Sequence, residues 1–459
     1  MMKNPLFTIS FLLLSLSFAG IKTAKAQELQ RQKDSERTHA SKHTKQTGRQ
    51  VVILSMDGFR SDYLQRANTP HLDSMVRVGT SGRLRPSFPT LTFPNHYSLV
   101  TGLYPNNHGL VANRFIDSKL GKYSIGDRAS VENGAFYGGE PIWNTAERQG
   151  LRSAAFFWVG SEAPIGGHRP SHWSIYDSSV SYQTRIDSVV HWLSMPQDVA
   201  PRIILWYLDE PDHTGHTYTP ESPKTIAKVE ELDRVVGNML ARLRSLPNRD
   251  NIDFVIVSDH GMATYTPERS VDLSKWLDGN DFYHVVDGVP TLLYPHEDKI
   301  DKVMAQLATV PHVKAYRKSD LPARLHYGSN PRIGEIVVVP EIGTYIYFRP
   351  DAQLITGGAH GYDNINPEMF ALFVALGPDF PANNHIEDPI PNIAVYPLLC
   401  RLLGIEPAPN DADEKDVDRI LLPQLGDCKT KHLPAPGCRE IPSEKVTKSA
   451  SYSNLQSKP

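Results

Sequence analysis

Hydrophobic positions along this chain fall into two patterns. Five short unbroken runs, residues 51–56, 153–158, 202–208, 254–258 and 370–376, are rich in β-branched and aromatic side chains and read as buried parallel strands. Between them the apolar positions spread to a helical period, as in 223–246, where Ile226, Val229, Leu232, Val236, Met239, Leu240 and Leu243 share a face. Buried strand alternating with helix predicts an α/β fold, a doubly wound, mostly parallel sheet whose ligands gather outside the carboxyl ends of the strands. The rhythm breaks over 278–349, where 288–294, 335–339 and 344–348 read as further strands and 298–307 as a helix, a small α+β insert or cap.

The two ends of the chain follow other rules. Lys3, an apolar run over 6–18 and Ala24-Lys25-Ala26 make a signal peptide with cleavage expected after Ala26. The run is shorter than the roughly 20 apolar residues of a spanning helix, and no cysteine lies near the cleavage point to carry a lipid. A periplasmic or secreted protein without a membrane anchor is expected. Residues 27–49 are polar without apolar period, a flexible leader. The folded domain is expected over 50–425, followed by a cysteine-containing extension and disordered tail over 426–459. The formal net charge of −3 leaves no basic excess for general nucleic-acid binding. Cys400, Cys428 and Cys438 are the only cysteines, and which of them pair stays open. The acidic stretch 411–418 lacks the glycine and terminal glutamate of a calcium loop and reads as solvated.

The chemistry-bearing residues stand at the predicted strand ends. The first run ends in Asp57-Gly58, the fourth in Asp259-His260-Gly261, and the third is followed by Asp209, Asp212 and His216. Asp212 and His216 are spaced to share one face of a helical turn. His360 sits between glycines in Gly357-Gly-Ala-His360-Gly, which permits close backbone approach. Each has a plainer reading as a turn former, but jointly they offer mixed carboxylate and imidazole ligands, the chemistry of zinc rather than of magnesium. Two such ions about 4 Å apart can activate a nucleophile and stabilise a leaving oxygen. Thr92, in Pro86-Ser-Phe-Pro-Thr-Leu-Thr92-Phe-Pro-Asn-His-Tyr97, is the candidate nucleophile. Pro94 is expected to open a short helix over 95–101 that Gly102 closes, placing the hydroxyl at a helix N-terminus.

Taken together, Asp57-Gly-Phe-Arg60, Thr92-Phe-Pro-Asn-His-Tyr97, Val100-Thr-Gly-Leu-Tyr-Pro105, Asp209-Glu-Pro-Asp-His-Thr-Gly-His216, Ser258-Asp-His-Gly-Met262 and His360-Gly-Tyr362 resemble the nucleotide pyrophosphatase/phosphodiesterases of the alkaline phosphatase superfamily. The resemblance implies an alkaline-phosphatase-like sheet and two zinc ions. Asp57, Thr92, Asp259 and His260 would hold one ion, and Asp212, His216 and His360 the other. It implies a covalent nucleotidyl-threonine on Thr92, with Asn113 bonding a phosphate oxygen beside the Thr92 backbone N–H. Phe93, Tyr207 and Tyr176 would line a nucleobase pocket, though each also reads as a core aromatic. Thr90 matches no role in the family and reads as structural.

The implied substrates are nucleoside triphosphates, dinucleoside polyphosphates and simple aryl diesters, cleaved to nucleoside 5′-monophosphates. The chain would be a catalytic domain alone, and it departs from many relatives in having Val159 where they carry proline. Alternatives are a phospholipid-type phosphodiesterase, a phosphomonoesterase served by Arg60 or Arg114, and an inactive metal-binding protein. A sulfatase is excluded because no Cys/Ser-x-Pro-x-Arg motif opens at the nucleophile position.

Overall fold

A computed structural model describes residues 48–350 and 354–422, so the expected signal peptide, most of the leader, Cys428, Cys438 and the tail lie outside it. The central sheet has nine strands. They are β1 (Gln50–Met56), β2 (Thr80–Arg85), β3 (Ser153–Phe156), β4 (His172–Ser174), β5 (Ile203–Leu208), β6 (Ile252–Val257), β7 (Ala371–Leu376), β8 (Asn384–His385) and β9 (Ile390–Pro391). The order is β8-β2-β7-β6-β1-β5-β3-β4, with β9 also on β2.

Both faces are covered. Along β1, Val51 and Ile53 enter one core cluster while Val52, Leu54 and Met56 enter another, and β5, β6 and β7 alternate the same way. The packing helices are α1 (Pro70–Val78), α2 (Thr92–Thr101), α3 (Tyr182–Leu193), α4 (Asp212–Tyr218), α5 (Pro223–Arg244) and α6 (Val395–Leu403). α1, α3 and α5 cover the second cluster, and α2 and α6 the first. α5 starts where Ser222 accepts the Thr225 N–H and Pro223 takes the first turn.

One strand departs from the expected direction. β6, β1, β5, β3 and β4 run parallel, but β7 is antiparallel to both β6 and β2. A fully apolar run specifies burial on two faces and carries no information about direction. The reversal positions the site. Asp57 and Asp259 leave the carboxyl ends of β1 and β6, and Asp212 heads the helix after β5. Because β7 runs the other way, the segment entering it, with His360, reaches that same edge.

Among the described residues, 282–340 forms an antiparallel sheet in the order 282–286, 291–295, 336–340, 313–317, covered by the helix Ile300–Leu307. Leu293, Val303, Leu307, Ile336 and Val338 make its own small core, while Leu292, Tyr294 and Val337 join the main one. The acidic stretch near 411–418 is helical rather than a solvated loop: Asp413 caps Glu414–Leu421, and Asp411 accepts from the Tyr104 N–H at 2.8 Å.

Candidate active site

The helix carrying Thr92 starts two residues before the expected proline. Thr92 is itself the first residue of α2, and Leu91, with an extended backbone and no side-chain bond, occupies the cap. The threonine hydroxyl is therefore not consumed by capping. Asn95 fixes the loop ahead of it, accepting from Ser87 N–H at 2.8 Å and donating to the carbonyls of Pro89 and Leu91, each at 2.9 Å. Gly102 closes the helix at φ 67°, a left-handed value that favours glycine.

Seven expected ligands converge on this point in two groups. Asp57, Asp259 and His260 form a fully buried group, with Thr92 Oγ1 3.2 Å from His260 Nε2. Asp212, His216 and His360 form a second, more open group. Within each, one ligand atom per residue lies within 4.8 Å of the others. The His260 and His360 rings stack with centroids 3.6 Å apart, so the groups adjoin. Backbone closeness allows this: a Cβ on Gly58 would stand 2.9 Å from Asp212 Cβ.

The three imidazoles are aimed alike. His216 Nδ1 faces the Gly358 carbonyl at 2.8 Å, His260 Nδ1 that of Gly261 at 2.9 Å, and His360 Nδ1 that of Thr90 at 2.9 Å. A carbonyl only accepts, so each Nδ1 carries the hydrogen and each ring turns its Nε2 inward. Two such nitrogens, on His216 and His360, meet at 3.1 Å. Thr90 is structural as expected and holds this geometry: its hydroxyl also accepts from Gly361 N–H at 2.8 Å.

The carboxylates supply the test of fit. Asp57 Oδ1, Asp212 Oδ1 and Asp259 Oδ2 are buried without hydrogen-bond partners, which is costly unless a cation takes the lone pairs. Asp259 Oδ2 lies 3.0 Å from His260 Nε2 and 3.2 Å from His96 Nδ1 without hydrogen-bond geometry. Burial, then the charges of Asp259 and Asp212, push the Asp57 carboxyl well above its ordinary range. Burial acts on Asp259 in the same sense, but His260 and His96 outweigh it and hold that carboxyl low. Burial and the neighbouring His260 and His216 keep His360 neutral, its affinity for protons well below the usual value. Three carboxylates, three imidazoles with Nε2 turned inward and a hydroxyl fit two zinc-type cations. They do not fit a threonine–histidine–aspartate triad, since Asp259 approaches the same His260 nitrogen as Thr92 and the other nitrogen serves a carbonyl.

A cavity of about 540 Å³ opens beside Thr92, Asp57 and Asp212, and Phe93, Tyr176 and Tyr207 line it. Tyr207 does more than line it, donating from its hydroxyl to Asp57 Oδ2 at 2.6 Å. Asn113 accepts the Phe93 N–H at 3.0 Å, which leaves its amide N–H groups without acceptors among the described residues. Val159, the departure from proline, is also in the wall. Arg60 is buried against Asp62, Glu221 and the Met262 carbonyl, Arg114 pairs with Asp287, and neither reaches the cavity. Sequence reading missed His96, Arg128 and Glu162. His96 falls four residues after Thr92 on one helical face, a signal that was available; its ring touches the Thr92 carbonyl at 3.0 Å and Ser55 Oγ at 2.8 Å. Arg128 and Glu162 carry no motif.

A family model described as type I phosphodiesterase/nucleotide pyrophosphatase matches residues 51–363. The chain is 34% identical to the venom phosphodiesterase CdcPDE of Crotalus durissus collilineatus, over 81% of its own length and 46% of the relative. It is 36% identical to human ectonucleotide pyrophosphatase/phosphodiesterase family member 1, over 81% of its own length and 42% of the relative. It thus spans less than half the length of these curated relatives. Murine ectonucleotide pyrophosphatase/phosphodiesterase 5, solved as an inactive threonine-to-alanine variant with AMP, superposes with a TM-score of 0.77 at 32% identity, covering 81% of this chain and all of that one. The human form of that protein gives 0.78 at 33% identity, covering 82% of this chain and 100% of that one. By the family match and by these solved structures, the chain belongs to the type I phosphodiesterase/nucleotide pyrophosphatase family.

Proposed function

We propose that this chain is a two-zinc phosphodiesterase that cleaves nucleotide phosphodiester and pyrophosphate bonds to nucleoside 5′-monophosphates through a covalent nucleotidyl-threonine on Thr92. The observation that carries the reading is the set of unpartnered carboxylate oxygens on Asp57, Asp212 and Asp259 beside a threonine hydroxyl that caps nothing. Relatives named as phosphodiesterases and a structural relative that holds AMP support it.

Bound to the two groups, zinc-type cations would lower the pKa of a hydroxyl or water and neutralise charge on phosphoryl and leaving oxygens. The chain's own residues supply the rest. Thr92 Oγ1 attacks phosphorus in line, forming the O–P bond as the bond to the leaving oxygen breaks. The proton of the Thr92 hydroxyl passes to solvent. The Thr92 backbone N–H, first in α2 and without an acceptor among the described residues, and the Asn113 amide donate to the non-bridging oxygens. Water then attacks the same phosphorus from the side the leaving group vacated, returning the Thr92 oxygen as a hydroxyl. Phe93 and Tyr176 offer faces to the base.

The test compares kcat/KM for thymidine 5′-(p-nitrophenyl phosphate) with that for p-nitrophenyl phosphate. The diester is expected to win by at least about 100-fold, and Thr92→Ala to remove that activity while retaining zinc. Equal or better turnover of the monoester would overturn the diesterase assignment, and unchanged activity in Thr92→Ala would overturn the nucleophile.

A further inference from the structure

One wall of the cavity carries a cation that the proposed reaction leaves unassigned. A chain of contacts leads to it from the ligand carboxylates. Tyr207 donates to Asp57 at 2.6 Å. Its ring centroid is 6.1 Å from that of Tyr176. The Tyr176 N–H donates to Glu162 Oε1 at 2.9 Å. Glu162 Oε2 accepts from Arg128 Nη2. Arg128 thus lines the cavity and stands at the other end of this series of contacts from Asp57. Its Nη2 also donates to Glu132 at 2.6 Å, so two carboxylates hold the guanidinium in place. The Nε and Nη1 hydrogens have no acceptor among the described residues, and 46% of the side chain is exposed. Glu162, by contrast, is buried with both oxygens engaged.

A purine lying along the aromatic surface, its sugar and phosphate toward Thr92, presents its six-position at the end farthest from the sugar. In guanine and hypoxanthine that position is a carbonyl acceptor; in adenine it is an amino donor. A pinned guanidinium with spare donors attracts the first and leaves the second facing like-signed hydrogens. Because both forks of the guanidinium share Nη2, already spent on the two glutamates, one Nη1 donor serves a single acceptor. We propose that Arg128, positioned by Glu162 and Glu132, is a specificity-determining residue that selects 6-oxopurine over 6-aminopurine nucleotides. The inference rests on the phosphodiesterase reading above and assigns its substrate class.

The experiment uses inosine and adenosine 5′-(p-nitrophenyl phosphate), which share sugar, phosphate and leaving group, with the zinc-loaded protein. The inosine-to-adenosine ratio of kcat/KM is expected to be about tenfold, the scale of one base-edge contact at a solvent-accessible site. In Arg128→Met the ratio falls to one or below, since Glu162 then offers a free acceptor to the amino group. Arg128→Lys keeps a cationic donor and a ratio above one. A ratio within one protein is insensitive to partial misfolding. A wild-type ratio at or below one overturns the assignment, as does an Arg128→Met variant that slows both esters equally. No turnover of either ester by the wild type would instead mark failure of the phosphodiesterase reading.

Discussion

The two ligand groups are built from the same chemistry and differ in their exposure to water. Asp57, Asp259 and His260 are sealed, whereas in the other group the His216 side chain is 42% exposed and only His360 is buried. The Asp212 side chain is 16% exposed and borders water, whereas those of Asp57 and Asp259 do not. Charge in the sealed group can therefore be balanced only by the protein or by a cation taken up there, and the Asp57 carboxyl, raised by burial and then by Asp259 and Asp212, is the sign of that need. The group beside Thr92 is the more enclosed and, under the proposed function, the more dependent on an ion. The group of Asp212, His216 and His360 is the one that borders solvent.

The largest expected effect comes from cancelling one charge in the sealed group. Asp57→Asn keeps an oxygen to accept the Tyr207 hydroxyl but removes the charge. Diester kcat/KM should fall by at least about 100-fold. Yet the chelated variant should melt higher than chelated wild type, by roughly 2 °C, because a repelling carboxylate has gone. A lower melting temperature for the chelated variant would mean that the group is not starved of positive charge.

Next in size is the order of metal loss. A chelator added to the zinc-loaded protein should draw out the ion at Asp212, His216 and His360 first and the sealed ion later, with activity following the first phase. Departure of both ions in a single kinetic phase would erase the distinction between the groups.

The smallest effect calibrates the pH behaviour of an imidazole outside both groups. His108 accepts the Leu110 N–H at Nδ1 and turns Nε2 toward Ser98 and the Pro94 carbonyl. Burial pushes its pKa down to about 3. An unfolded histidine titrates near 6.5, so between that pH and about 3 the unfolded chain binds the extra proton. Stability is full above pH 6.5 and drains as pH falls, by up to about 1.4 kcal/mol per pH unit. For metal-free protein, denaturant titrations at pH 7 and pH 5 should show His108→Gln losing about 2 kcal/mol less than wild type between those two pH values. Equal losses would assign the acid sensitivity to the ligand groups instead.

Much of this arrangement is legible in the sequence because buried strands announce themselves. Runs such as 51–56 and 254–258 could be little else, and an Asp that follows each must leave the sheet at its carboxyl edge. Strand direction was not legible, since burial on two faces looks the same either way, and so the role of the reversed β7 in delivering His360 appears only in the fold. β2 was missed because Thr80-Ser-Gly-Arg-Leu-Arg85 has one strong hydrophobe and takes its strand form from pairing with β7. The candidate ligands were readable as motifs, and the expected helix over 95–101 began three residues late because Pro94 reads as the residue that opens it. Arg128 and Glu162 could not be found: 34 residues apart, they meet only through the packing of the cavity wall.

The strands that carry Asp57 and Asp259, together with β5 ahead of Asp212, lie side by side in the middle of the sheet, with other strands on both flanks. Amides in such a position exchange with solvent only when the whole domain opens. Local breathing at the sheet margins therefore leaves the sealed group intact. On heating, loss of the sealed group's geometry and loss of fold should fall on one curve.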